Sequence, residues 1–426
     1  MVPRIVIVGA GSVVFGLKML RDIVLTPELG GSELVLVDVN EEALGVMAKV
    51  AERIATARDF PLKVLATVDR AEALHGADFV ILCVARDKNR LWKLDFTVPM
   101  KHGISHTLGE NGGLGGLFHT LRSAWLVMEI VKDIERIAPD AWVLNFTNPE
   151  SRICMAIARH SKVRAVGLCH GLLEQRMRLG KFLGIPVEEM DFLASGLNHF
   201  TWIHEMKRTT TGEDLYPVLR KELAGAPEDF LPLCRFLFES FGLFPSPSDN
   251  HCGEYLPYAT EFTPPRDLAR FEEGPWRANR MKLVAKAGET GEGLDEVAPP
   301  TASGERAMPI IAALETGKKS VEAAVNILNR GCVPGLPDDA IVEIPATVQD
   351  GEIRGRAMPP LPEGVVAMLA SQVRVQKMAV DAAMTGDKGL ALQAALTDPA
   401  APSAKAAKAA FDELFELEAD FLPQFA

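Results

Sequence analysis

Residues 4–16, RIVIVGAGSVVFG, constrain this chain more than any other stretch. A β-branched run ends in closely spaced glycines and passes directly into an apolar, helix-compatible segment. Strand, glycine turn and helix in that order open a parallel βαβ unit whose helix N-terminus faces an anionic ligand. Gly9 permits the tight turn and Gly11 lets a pyrophosphate approach the backbone. The candidate cofactor loop is therefore Gly9, Gly11, Ser12, Val13 and Val14, although Val14 stands where GxGxxG has its third glycine. Asp38 closes the second apolar run, ELVLVDVN at 33–40, and Asn40 follows it. An acid there hydrogen-bonds a ribose 2′-hydroxyl and disfavours a 2′-phosphate. The expected cofactor is NAD; the alternative is a turn with a purely structural role.

Further short apolar runs follow at 63–68, 77–85, 141–149 and 163–170, with a helical stretch from 118 to 137 whose Leu121, Trp125, Met128 and Val131 fall near helical spacing. Such alternation specifies an α/β fold, a doubly wound parallel sheet over residues 1–170. After His170 the pattern changes. Residues 172–183 read as a helix ending at Gly184, and FLASGLNHFTWIHEMKR reads as strands leaving the parallel sheet. The proline-rich stretch 244–255 reads as a loop, because proline removes a ladder or helix donor. Helices dominate from Glu305, interrupted by a turn and strand in GLPDDAIVEIP, and the alanine-rich tail at 400–410 reads as a solvated final helix. Residues 171–426 thus form an α+β, helix-rich second domain.

Composition narrows the function. With 45 Lys and Arg against 57 Asp and Glu, the net charge is −12 and no long basic cluster offsets it, which argues against nucleic acid. No apolar run approaches the ~20 residues of a membrane helix. The first residues read as a buried strand and not a signal peptide, and the six cysteines lack pair spacing, so reduced thiols in the cytoplasm are expected.

Several residues carry chemistry. NFTNP at 145–149 lies at a strand's carboxyl end, where open parallel sheets bind ligands; Asn148 offers a donor and an acceptor to a sugar hydroxyl, or else forms an Asx turn before Pro149. Cys169-His170 ends the next strand and Asn198-His199 follows in GLNHF. Thiolate and imidazole suit a borderline divalent metal. On the residues alone, a buried cysteine and a satisfied core histidine is the better reading. Asp249, His251, Glu254 and Tyr255 crowd one loop, where a general base or a solvated polar loop would both fit.

Together these pieces resemble glycoside hydrolase family 4, the NAD-dependent glycosidases that stand outside two-carboxylate hydrolysis. The resemblance runs through IVGAGSVVFG, LVDVN, VPMKHGI, NFTNP, GLCHG, GLNHFTW, SDNHCGEY and GLPDDAIVEIP, in order. It implies a Rossmann-like half similar to the lactate and malate dehydrogenases. It also implies hydride removal from carbon 3 of the sugar, base removal of the carbon 2 proton beside a metal, elimination, water addition and return of the hydride. By the same resemblance, Cys169 and His199 become ligands for Mn²⁺ or another divalent metal, and Asn148 binds substrate hydroxyls. Asp249 becomes the base with Tyr255 in reserve, His170 a candidate acid, and Arg90 and Glu110 substrate-pocket residues. TLGENGGLGG at 107–116 departs from the family's usual turn. CHGL, from Cys169, resembles the α-glucuronidase and α-galacturonase type and points away from phosphorylated sugars. The family further implies a homo-oligomer, dimer or tetramer, acting on a small glycoside. The alternatives are an α-galactosidase or α-glucosidase of the same mechanism, an NAD-dependent hydroxy-acid or sugar dehydrogenase, and a catalytically silent NAD-binding regulator.

Overall fold

A computed structural model describes residues 2–271 and 274–426. Its first strands, β1 (Arg4–Val8), β2 (Glu33–Val37), β3 (Lys63–Thr67), β4 (Phe79–Leu82), β5 (Trp142–Asn145) and β6 (Arg164–Gly167), are parallel in the order β3-β2-β1-β4-β5-β6. This is the doubly wound, Rossmann-like sheet expected. The reason lies in β1, where Ile5 and Ile7 enter one apolar layer and Val6 and Val8 the other. Burying each such side chain stabilises the sheet by about 1.5–3 kcal/mol.

The remaining strands are β7 (Met190–Leu197), β8 (Phe200–Arg208), β9 (Phe244–Ser246), β10 (Ser320–Leu328), β11 (Ile341–Gln349) and β12 (Glu352–Gly355). They do not form a separate sheet. β10 pairs antiparallel with β6 through Asn326 and Gly167, and the order continues β10-β11-β7-β8-β9, with β12 on β11. A single 12-stranded sheet therefore crosses residue 170.

Three local expectations are corrected. The proline-rich stretch 244–255 is not simply a loop. Phe244–Ser246 is an edge strand against β8, where proline is tolerated, and Asp249–Cys252 is a helical turn. The long helix begins at Gly113, not Phe118, and runs to Ile137. Its glycines weaken helix propensity but admit close backbone contacts: a Cβ on Gly115 would lie 2.6 Å from the Gly109 carbonyl oxygen. The tail helix, Ala404–Leu417, is amphipathic and not solvated all round, burying Ala407, Ala410, Phe411, Leu414 and Phe415. Phe411 and Phe415 meet Phe118 edge-on at 5.7 and 5.0 Å between ring centroids. Among the described residues, no helix is long and apolar enough to cross a membrane.

Candidate active site

The carboxyl ends of the parallel strands open onto a cleft of about 860 Å³. Its floor includes Gly9, Ser12, Val14 and Phe15, and its sides include Asp38, Cys83, Phe146, Thr147 and Asn148. Gly9 sits at φ +91°, and a Cβ there would fall on the Cys83 carbonyl oxygen. Gly11 N–H donates to Asp38 Oδ2 at 2.8 Å, so the acid at the end of β2 also ties down the glycine turn. A Cβ on Gly16 would stand 2.6 Å from the Ala10 carbonyl oxygen. Gly16 thus supplies the close helix approach that the third glycine supplies in GxGxxG, which explains why Val14 is tolerated. These features fit the pyrophosphate and ribose of a dinucleotide.

Three residues assigned to the cofactor have other work. Ser12 Oγ accepts from Val14 and Phe15 N–H at 3.4 and 3.3 Å, holding the first turn of the helix Phe15–Ile23. Val13 is buried in the apolar core. Asn40 caps the helix Glu41–Ala57 by accepting from Ala43 N–H at 3.0 Å, and it does not line the cleft.

The NFTNP turn is organised by its first asparagine. Asn145 donates to the Thr147 carbonyl oxygen and to Glu150 Oε1, and accepts from Thr147 N–H. The Asx-type turn therefore belongs to Asn145, and Asn148 is left to face the cleft.

Cys169 follows β6, and His199 lies in the two-residue turn between β7 and β8. Cys169 Sγ is 3.4 Å from His199 Nε2. Burial, with Glu343 nearby, pushes the thiol up to about 12; a cation bound alongside would favour the thiolate and so offset that shift. Asn111 lies 3.0 Å from His199 Nδ1 on its amide-nitrogen side, while its own oxygen is buried without a partner. With the amide turned over, Nδ1–H donates to its oxygen and Nε2 keeps its lone pair toward Cys169. A soft thiolate and an oriented imidazole form a fitting donor pair for a divalent transition metal. His251 packs against His199 with ring centroids 4.2 Å apart, and His199, His251 and Glu254 each offer a ligand atom within 4.8 Å of the others.

Glu254 is anchored from the opposite side. Its Oε1 accepts from the N–H groups of Glu110, Asn111 and Gly112, the turn that opens the helix Gly113–Ile137. Glu110 is buried in the same region. Burial opposes its charge, yet Lys88, at 3.3 Å, with His119, His199 and His251 holds it down at about 2. His170 lies between Glu174 and Glu305, each 3.2 Å away, and these hydrogen bonds raise it to about 10. Its ring centroid is 6.5 Å from that of Phe15 on the cleft floor.

The two base candidates are placed differently. Both oxygens of Asp249 are engaged, accepting from Leu233 and Cys234 N–H at 3.2 and 2.9 Å, in the first turn of the helix Pro232–Phe241. Tyr255 is buried, stacks on Phe200 at 5.2 Å, and donates to the carbonyl oxygen of Asn198, the neighbour of His199. Arg90 is not in the cleft wall; it pairs with Asp87 and lies over Phe421, 5.0 Å from the ring centre. Sequence reasoning missed Asn111, Lys88 and Glu305. Asn111 lies in the departing turn at 107–116, the one signal that could have drawn attention to it.

Residues 4–185 match the family described as "Family 4 glycosyl hydrolase", and 194–401 match its C-terminal domain. An α-glucosidase from Erwinia rhapontici is 32% identical over 93% of this chain and 94% of its own length. An α-galacturonidase from Thermoanaerobacter italicus is 30% identical over 98% and 97%. In overall fold the chain is similar to a 6-phospho-α-glucosidase from gut microorganisms, solved in complex with NAD and Mn²⁺, with TM-score 0.86, 23% identity and 100% of both chains covered.

Proposed function

Because the chain belongs to the glycosyl hydrolases of family 4, we propose that it is an NAD- and divalent-metal-dependent α-glycosidase acting on a non-phosphorylated, acidic sugar of the glucuronide or galacturonide kind. The observation that carries this reading is the 3.4 Å approach of Cys169 Sγ to His199 Nε2 beside a cleft floored by the glycine turn. NAD supplies a hydride acceptor and the metal a Lewis acid that makes a carbon beside an oxidised sugar carbon acidic.

The residues divide the remaining work. Gly9 and Gly11 admit the dinucleotide's phosphates, and Asp38 faces its ribose. Cys169 and His199 hold the metal, with Asn111 fixing the imidazole. Asn148 binds sugar hydroxyls. Tyr255 takes the carbon 2 proton in preference to Asp249: ionisation of the phenol gives up its hydrogen bond to the Asn198 carbonyl oxygen, whereas both oxygens of Asp249 are spent on a helix terminus. Burial and Glu254 keep the Tyr255 phenol well above its ordinary range, so it serves as a base only with positive charge bound alongside. His170 carries its proton at neutral pH and delivers it to the leaving oxygen. The CHGL segment supports an anionic group on the sugar.

A neutral α-glucoside or α-galactoside is the second reading, favoured by the higher identity to an α-glucosidase than to an α-galacturonidase. The test is a panel of p-nitrophenyl α- and β-glycosides (glucuronide, galacturonide, glucoside, galactoside and 6-phosphoglucoside), assayed with and without NAD⁺ and Mn²⁺ under reductant. Nitrophenol release from an α-uronide that requires both, without accumulation of NADH, is expected. Release from the neutral sugars alone selects the second reading, and NADH accumulating without nitrophenol makes the protein a dehydrogenase.

A further inference from the structure

His199 sits in left-handed backbone, at φ +63°. A residue with a Cβ adopts that conformation when its surroundings impose it. The preceding residue shows what imposes it here. Asn198 N–H donates to Ser151 Oγ at 3.3 Å, its carbonyl oxygen accepts from the Tyr255 hydroxyl at 3.1 Å, and its side-chain amide donates to Glu343 Oε2 at 2.7 Å. A helix, the 253–255 turn and β11 therefore each grip one polar group of the same buried residue.

Glu343 also reaches the segment that carries Cys169. The same Oε2 accepts from the Asn326 side-chain amide at 3.2 Å. Asn326, on β10, pairs with Gly167 at the end of β6, two residues before Cys169, and Glu343 itself is in register with Gly196 of β7. Gly167 has no room for a side chain, because a Cβ there would stand 2.8 Å from the Asn326 Cβ. One buried oxygen thus ties together the end of β6, the strand β10 and the turn between β7 and β8. These are the segments that set the separation of Cys169 from His199. Glu343 belongs to GLPDDAIVEIP, a motif otherwise without a role.

We propose that Glu343 is a positioning residue for the metal centre: through the Asn198 amide and Asn326 it holds His199 in its left-handed turn at ligand distance from Cys169. The proposal rests on Cys169 and His199 being the metal ligands, and it is testable apart from that reading. Outer partners that orient metal ligands change affinity about 10- to 100-fold when removed.

The experiment titrates Mn²⁺ into the purified full-length protein and follows free and bound ion by electron paramagnetic resonance. NAD⁺ affinity and melting temperature are measured alongside. In Glu343→Leu both asparagine amides lose their acceptor, and Mn²⁺ affinity is expected to fall about 10- to 100-fold while NAD⁺ affinity holds. Glu343→Gln keeps one oxygen that accepts from both the Asn198 and the Asn326 amide while removing the charge, and it is expected to retain most of the affinity. That separates positioning from the loss of a buried carboxylate near the ion. Wild-type Mn²⁺ affinity in a folded Glu343→Leu, or a folded Glu343→Gln that binds no better than Glu343→Leu, overturns the role of Glu343. Cys169→Ser is the reference: if it binds Mn²⁺ as wild type does, the ligand assignment itself is wrong.

Discussion

Replacing Asp249 with Asn separates a helix-capping role from a proton-abstracting one. The carboxylate accepts from Leu233 and Cys234 N–H, both at fully buried residues in the first turn of the helix Pro232–Phe241. Asn keeps one acceptor oxygen and turns an NH₂ group toward the other backbone donor. The loss of a cap costs about 0.5–2 kcal/mol, and burial of the stranded N–H puts this site at the upper end, about 2 kcal/mol. At ~2.1 cal/mol/K per residue, a cooperative melt of 426 residues has an entropy of about 0.9 kcal/mol/K. The melting temperature should therefore drop by only about 2 °C, within reach of calorimetry. Amide exchange at Leu233 and Cys234 should accelerate, while exchange of the sugar's carbon 2 proton into D₂O, followed by NMR, persists. A variant that melts and exchanges its amides like wild type but has lost carbon 2 exchange would refute this reasoning and return Asp249 to the base role.

Other perturbations have directions fixed by the same geometry. Gly9→Ala puts a Cβ onto the Cys83 carbonyl at φ +91°; left-handed strain of about 1–2 kcal/mol plus the clash should weaken NAD⁺ at least ~10-fold by calorimetry, and unchanged affinity would remove the turn from cofactor binding. His170 is raised to about 10 by Glu174 and Glu305, so its grip is complete below the unfolded imidazole's value of about 6.5 and is lost as pH rises through about 10. Glu305→Gln should lower the His170 titration seen by NMR and move that loss to lower pH; an unmoved titration would contradict the assignment. Asn111→Ala should release the His199 ring and lower Mn²⁺ affinity about 10- to 100-fold, whereas wild-type affinity would show that the ring is held by something else.

The parallel half of the fold was legible because its central strands β1, β2, β4 and β5 are buried on both faces and so read as continuous apolar runs, whereas the edge strand β3 is largely exposed. The join to the second half was not legible, since Asn326 pairing with Gly167 is a contact between residues far apart in sequence, with no periodic signature. The start of the long helix was hidden by glycines whose value lies in tertiary approach, not in propensity. In the site, Gly9, Gly11, Asp38, Cys169 and His199 stand at strand ends or turns, where spacing and resemblance locate them. Asp249 and Asn40 were harder, because a carboxylate or amide beside a cleft and one that caps a helix look alike in sequence. Asn111 and Glu343 act through other residues, and only the folded chain puts them beside His199 and Asn198.

The central claim, that the glycosidic bond is cleaved after oxidation of the sugar by residues gathered around Cys169 and His199, is tested by running the reaction in D₂O. The sugar product of a cleaved p-nitrophenyl α-glycoside should carry deuterium at carbon 2, and both cleavage and labelling should disappear without NAD⁺ or in Cys169→Ser. Cleavage that proceeds without NAD⁺ and leaves carbon 2 unlabelled would contradict it.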